Sequence, residues 1–461
     1  MERTTMKKAL TNRNIQMIAL GGAIGTGLFL GSAKAIRLAG PAVLLTYFIC
    51  GIAIYSLMHA MGDLFLTNSD FQSIGDFIHY YLGDRWAFFV NWTYWLCWMA
   101  AGLTELTAIG LYIRFWFPDS SPLLSGILVL SVLVVVNIVA VRWFGELESF
   151  FSTIKIFGIF LFILLGIGIS IWHFQTPHIG VKENFGTIHS FFPFGLTGIA
   201  TSFPMVLFSF AGVEMIGLTV GETSDPQENL KKAIKCLPAR ILFFYIGTII
   251  AILLVVPWQN LDLKESPLVT MLQMVHWSKG AGMINFIILV ASLSSTNSAI
   301  YSTSRILYNT AKEKNLSKWF LFISSRSVPL HGILFTGGMF LLGLCLHFFV
   351  ADSRMLFQLL AGMTTVCFLF VWSSILCAHL KLPINLLQKN RDKVTFLFFL
   401  MVGLSLFFES ATRMIPLISL GWFIGLNLMY RRIHVSHKKE MSVEQKLSLI
   451  HISEPTRPEP I

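Results

Sequence analysis

Twelve apolar runs dominate this chain, at roughly 15–38, 41–66, 86–117, 123–143, 149–173, 196–222, 236–257, 280–310, 332–350, 355–379, 394–410 and 414–430. A helix rises ~1.5 Å per residue, so about 20 residues cross a hydrocarbon layer. Backbone N–H and C=O groups inside that layer must be bonded within the segment, as a helix does. The expected fold class is an all-α polytopic membrane protein with about 12 transmembrane helices. Composition agrees. The 461 residues are 55% hydrophobic and only 13% charged, with mean hydropathy +0.69, against about a quarter charged in soluble domains. The first run is long enough to remain as a span, and Met1–Arg13 before it is polar, so a membrane span is expected there and not a cleaved signal.

The formal charge of +10 follows from orientation. With an even number of spans and the N-terminus inside, the inner segments hold 25 Lys and Arg and the outer segments 8, while Lys155 lies within a span. That bias places both termini in the cytoplasm and leaves nucleic acid unneeded as a partner. The cysteines Cys50, Cys97, Cys236, Cys345, Cys367 and Cys377 form no CxxC pair, and the 12 histidines show no ligand spacing. Packed thiols, no metal and no cofactor are expected.

In chain order, residues 1–14 make a basic arm, with Thr11 or Asn12 as a cap. Gly40-Pro41 turns the chain outside, and 67–85 forms a polar inner connection. Span 3 carries Trp86, Trp92, Trp95, Trp98 and Trp116, some of them interfacial, and a smooth patch at Ala100, Ala101 and Gly102 that suits a close helix or a small ligand. Asp225-Pro226 marks a turn in the basic inner loop 222–240. Span 8 carries SLSSTNSAIYSTSR at 292–305, hydroxyl-rich and suited to close helix contact.

Two spans are interrupted. The run GGAIGTGLFLGS at 21–32 holds five glycines, and FSFAGVE at 208–214 has Gly212 at mid-depth. Glycine loses most by staying helical, and bare backbone at that depth is tolerated where it lines a cavity. The breaks are five spans apart, so a five-helix unit repeated once inserts the opposite way. That is the LeuT-type 5+5 inverted repeat with broken helices 1 and 6, and substrate at the midplane. The repeats fall at about 15–173 and 196–379, with extra helices at 394–430. The first half of span 1 ends near Ile24 and leaves carbonyls for a cation. The second half starts near Gly27 and leaves amides for an anion. With carbonyls around Phe208–Ala211 and the Thr26 hydroxyl, the pair of breaks suits an α-amino acid zwitterion.

Each feature has a plainer reading. GxG in an apolar helix also serves close packing, and the faint likeness to a dinucleotide loop lacks the strand and acidic partner. Lys155 either snorkels to the inner surface or forms an internal cation or proton site. Glu105 is either a structural partner or a titrating carboxylate. Glu222 is a cap or loop group, or a coupling site.

LTNRNIQMIALGGAIGTGLFLGS, FGELE at 144–148, FSFAGVEMIGLTVGETSDP at 208–226 and SSTNSAIYSTSRILY at 294–308 closely resemble the bacterial amino acid permeases of the amino acid–polyamine–organocation superfamily, over about 8–435. The resemblance implies the LeuT-type fold, a bacterial cytoplasmic membrane location, and import of amino acids with protons by a transporter that is not an enzyme. It implies that Ile24, Gly25, Thr26 and Gly27 bind the substrate carboxylate and amine, and that Phe208, Ser209 and Ala211 meet the amine and close over the side chain. It places Lys155 where sodium sits in sodium-driven relatives, and makes Glu105 and Glu222 recurrent carboxylates with a part in proton coupling. NWTYWLCW at 91–98 and LTNSDFQSIGDF at 66–77 look most like D-serine/D-alanine/glycine permeases. Thr104-Glu105-Leu106 looks more like aromatic, proline or threonine permeases. An amino acid exchanger is the other alternative. Residues 436–461 form the cytoplasmic tail, of which 447–461, LSLIHISEPTRPEPI, resemble translated sequencing-adapter read-through with no expected fold.

Overall fold

The computed structural model describes residues 24–452, except 69–70, 72, 140–143, 173–178, 216–225, 264, 313–315, 326–327, 351 and 410–411. Glu222, Asp225, Thr11 and Asn12 lie outside the described residues, as does span 1 before Ile24. Each apolar run carries helix. A π-helical turn, Gly27–Gly31, leads into α1, Ser32–Ala39. Gly40, at φ 64, turns the chain through Gly40–Ala42 into α2, Val43–Thr67. Then come α3, Ile74–Leu82; α4, Asp84–Ile113; α5, Pro122–Val139; and α6, Phe144–Trp172. Two short helices, α7, Ile179–Phe185, and α8, Ile188–Phe191, precede α9, Gly195–Ser209. The second half holds α10, Pro226–Val255; α11, Pro267–Met274; α12, Ser278–Lys312; α13, Leu330–Leu344; and α14, Ser353–His379. The last helices are α15, Leu386–Ser405, and α16, Ile415–Ile452.

Nine helical stretches among the described residues are long and apolar enough to cross a membrane. Gly27–Thr67 counts once there and joins two of the twelve runs, while α15 and α16 are not among the nine. α16 carries helix into 447–452, where no fold was expected. No glycine or proline stands between Gly425 and Pro455 to stop it.

Burial sorts the helices into an inner and an outer set. The most apolar windows of α4 and α14 are 72% buried, those of α5 and α13 only 28%. On α5, Leu124, Leu128, Val132, Val135 and Val139 are exposed at helical spacing, a stripe that only lipid suits. α4 runs along both α12 and α14. Gly102 lets α12 and α13 come close to α4, since a Cβ there would lie 2.5 Å from Phe340 Cζ and 3.0 Å from Ala299 Cβ. Asp352 caps α14 by accepting the Arg354 N–H. Its side-chain hydrogen bond from the Arg354 guanidinium holds the carboxyl below the usual carboxylate range.

Polar ties join helix ends. Lys34 of α1 pairs with Glu409 and donates to Gln358 Oε1 of α14 at 2.9 Å. At the far end of α14, His379 Nδ1 lies 2.6 Å from Asp392 Oδ2, and Nε2 lies 3.2 Å from Asp63 Oδ2. The His379 and Asp392 side chains are fully buried. His379→Ala leaves the Asp392 charge with Arg391 alone. It is expected to destabilise the purified protein by about 3 kcal/mol, read as a lowered midpoint of unfolding. An unchanged midpoint would show that Arg391 alone compensates.

Candidate functional site

The two interruptions predicted from sequence lie against each other. At the first, the Gly25 carbonyl accepts from both Leu28 N and Phe29 N, at 3.1 and 3.3 Å, and the widened turn Gly27–Gly31 follows. At the second, α9 ends at Ser209 and the chain turns through 210–214, where Gly212 takes φ 98. That left-handed region strains any residue with a Cβ. Gly27 is the point of contact. A Cβ on it would lie 2.5 Å from Ser209 Cα and 3.0 Å from Ser209 N.

Neighbouring helices brace the second break. Tyr245 of α10 donates its hydroxyl to the Ser209 carbonyl, and Tyr47 of α2 shares a hydrogen bond with Ser209 Oγ at 3.3 Å. Their rings meet edge-on at 5.7 Å. The Phe208 carbonyl accepts from Ala211 N at 3.0 Å. Part of the carbonyl supply expected here for an ammonium group is therefore already bonded, and the second lone pair of each oxygen is what remains to it.

A small cavity opens between the breaks. Gly25, Gly27, Phe208, Ser209 and Ala211 line it. Ile24 and Thr26 are fully buried and do not line it. Thr26 acts on it indirectly, by donating its backbone N–H to Glu105 Oε1 at 3.1 Å. Glu105, itself in the wall, thus reaches across from α4 to the start of the second half of helix 1.

Trp98, Ala101, Ser295 and Phe368 complete the wall. From sequence, Trp98 was one of five tryptophans, some of them interfacial, and was not placed in a site, yet a signal was present. Trp98, Ala101 and Glu105 stand at i, i+3 and i+7 of one helix and so share a face. Trp86 and Trp116, at 41% and 38% exposure, are the two of the five that are exposed, as belt residues are expected to be. Within the smooth patch, Ala101 lines the cavity and Gly102 meets neighbouring helices. Ser295 has no local feature that separates it from Ser294.

Lys155 is fully buried and does not snorkel. It lies outside the cavity wall, 4.0 Å from Glu148 Oε1 of its own helix, and within electrostatic reach of Glu105. Cys50, Cys97, Cys345, Cys367 and Cys377 are free thiols.

A helical membrane bundle with a buried cavity between two interrupted helices defines a permease-like protein. The amino acid permease family description matches residues 14–430, and the chain belongs to that family. It is 38% identical over 439 residues to the D-serine/D-alanine/glycine transporter of Escherichia coli, covering 92% of this chain and 93% of that protein. It is 36% identical over 446 residues to the amino-acid permease AapA of Bacillus subtilis, covering 93% and 96%. It is 36% identical over 383 residues to the DL-alanine permease SerP2 of Lactococcus lactis, covering 82% and 83%.

Proposed function

We propose that this protein imports small neutral amino acids, with D-serine, D-alanine and glycine as first substrates, together with protons across the bacterial cytoplasmic membrane. Both termini are cytoplasmic, and the cavity opens alternately to each side as the repeats at 15–173 and 196–379 move. The observation that carries this reading is the hydrogen bond from Thr26 N to Glu105 Oε1. That amide belongs to the start of a half-helix, a position that attracts an anion. An α-carboxylate seeks the same amide as Glu105. Two carboxylates crowded at one site do not both stay ionised cheaply. Glu105 therefore takes a proton and yields the amide as substrate arrives, and proton and substrate travel together. The substrate ammonium meets carbonyls at the ends near Ile24 and at Phe208–Ala211, with Ser209 beside it. In the resting state the Lys155 ammonium supplies the positive charge that a sodium ion would otherwise supply, and Glu222 serves the proton route.

Trp98, Ala101, Phe208 and Phe368 form an uncharged part of the cavity wall, which suits a small neutral side chain. The names of the relatives, one a D-serine/D-alanine/glycine transporter and one a DL-alanine permease, agree with that. Trp98→Ala is expected to let leucine compete for uptake, with a gain of roughly 10-fold or more per accommodated methylene. A competition panel that leaves leucine excluded would remove Trp98 from the selectivity wall.

The primary test uses proteoliposomes holding the purified protein, an imposed pH gradient and labelled D-alanine or glycine. Accumulation is expected to collapse with a protonophore and to persist without sodium. A strict sodium requirement overturns the role given to Lys155. Competition by D- and L-amino acids then fixes the substrate, and an aromatic amino acid, proline or threonine as best competitor replaces the first choice. Accumulation that needs preloaded amino acid and ignores the pH gradient identifies an exchanger.

A further inference from the structure

Lys155 does not stand alone on its helix. Glu148 and Ser152 lie seven and three residues before it on α6, on the same face, and all three are fully buried. α12 packs along this face. Its Ser294 donates Oγ to Glu148 Oε1 at 2.5 Å, and Lys155 Nζ lies 4.0 Å from that same oxygen. Among the described residues the second oxygen, Glu148 Oε2, is buried and makes no hydrogen bond of normal geometry, and the Ser298 hydroxyl stands near this carboxylate. Close packing of two helices needs only small residues. A buried carboxylate with one open oxygen adds a desolvation cost that packing does not explain, and ionisable groups inside a membrane mark ion and proton routes.

The placement gives this group a direction. Glu105 is in the cavity wall, and Lys155 is within electrostatic reach of both Glu105 and Glu148. Ser295, next to Ser294, also lines the cavity. Glu148 stands about one turn from the start of α6, at the end that the charge bias assigns to the cytoplasm. From the cavity inward the order is Glu105, Lys155, Glu148.

We propose that Glu148 is the relay residue that accepts the coupled proton from Lys155 on the cytoplasmic side of the cavity. The inference rests on the proton-coupled reading above. In the step, one Lys155 Nζ–H bond breaks and an O–H bond forms on Glu148. An ammonium and a carboxylate become a neutral amine and a neutral acid. The acid then loses its proton to cytoplasmic water, restoring the carboxylate, and the Lys155 amine takes up the proton carried by Glu105, restoring the ammonium and the Glu105 carboxylate. Rotation of the long lysine side chain closes the 4.0 Å gap. Ser294 holds Oε1 in place while Oε2 stays open to the incoming proton.

The test compares Glu148→Gln and Glu148→Asp with wild type in proteoliposomes, using labelled D-alanine or the best substrate from the panel. The Gln side chain keeps an oxygen for Ser294 and cannot carry the proton away. Its accumulation driven by a pH gradient is expected to fall by at least about tenfold. Counterflow exchange, which moves substrate without net proton transfer, is expected to persist. Asp is expected to restore accumulation, at least in part. Wild-type accumulation by Glu148→Gln overturns the inference. So does loss of both accumulation and counterflow that Asp fails to restore, which marks a structural role. If wild type itself ignores the pH gradient, the symport reading fails and the relay with it. A coupled wild type beside a coupled Gln variant refutes the relay alone.

Discussion

Gly27→Ala is expected to abolish uptake while the protein still reaches the membrane. The added Cβ would lie 2.5 Å from Ser209 Cα and 3.1 Å from Ser209 Oγ. The first of these is backbone, which cannot rotate aside as a side chain does. The two breaks must then move apart by a fraction of an ångström or more, and the cavity wall they share moves with them. Misplacement of about 1 Å at a site of positioned groups costs roughly 100-fold in rate, and a loss of that order is expected. Gly25→Ala makes the contrast. Its Cβ would meet Glu105 Oε1 at 2.5 Å and Ser295 Oγ at 3.0 Å, both at the ends of side chains that can turn away. Uptake should fall less, with coupling disturbed because Glu105 leaves the Thr26 amide. The measurement is initial uptake divided by the amount of protein in the membrane. Wild-type uptake by Gly27→Ala would refute contact of the two breaks as a condition of transport.

Glu105→Gln separates coupling from binding. The amide oxygen of glutamine still accepts the Thr26 N–H that Glu105 Oε1 holds at 3.1 Å, so the wall keeps its shape. The side chain no longer exchanges a proton near neutral pH. Accumulation driven by a pH gradient should fall roughly 100-fold, in the range seen when a proton-transfer group is removed. Counterflow of labelled substrate should continue. A Glu105→Gln protein that still concentrates substrate against a gradient would move the proton site elsewhere.

The helices were legible because hydrocarbon imposes one solution on long apolar runs. The two breaks were legible as a pair, because glycine interruptions five spans apart suit an inverted repeat better than close packing alone. Glu105 was named from the sequence and Ala101 belonged to the smooth patch; that both share one face of α4 with Trp98 was within reach and went unread. What the linear chain withheld was pairing between distant residues. Nothing near Thr26 announces that Glu105, 79 residues on, takes its amide. Nothing in a hydroxyl-rich helix marks Ser294 as the partner of Glu148 and Ser295 as part of the wall. Tyr245 reads as one more aromatic in an apolar span until α10 lies against α9 and its hydroxyl finds the Ser209 carbonyl. Each of these depends on how helices are rotated about their own axes, which periodicity alone leaves open when both faces are apolar.

Anchoring at main-chain groups has a consequence for descent. On the binding mode proposed above, amides and carbonyls at the breaks are present whatever residues a lineage tries elsewhere, so point substitutions in the Trp98, Ala101 and Phe368 wall would change the menu without removing the grip on the common end of an amino acid. A lineage can therefore drift from one substrate to another through intermediates that all still transport something. The glycines that bring the two main chains together have no such freedom, and diversification is confined to the wall that faces them.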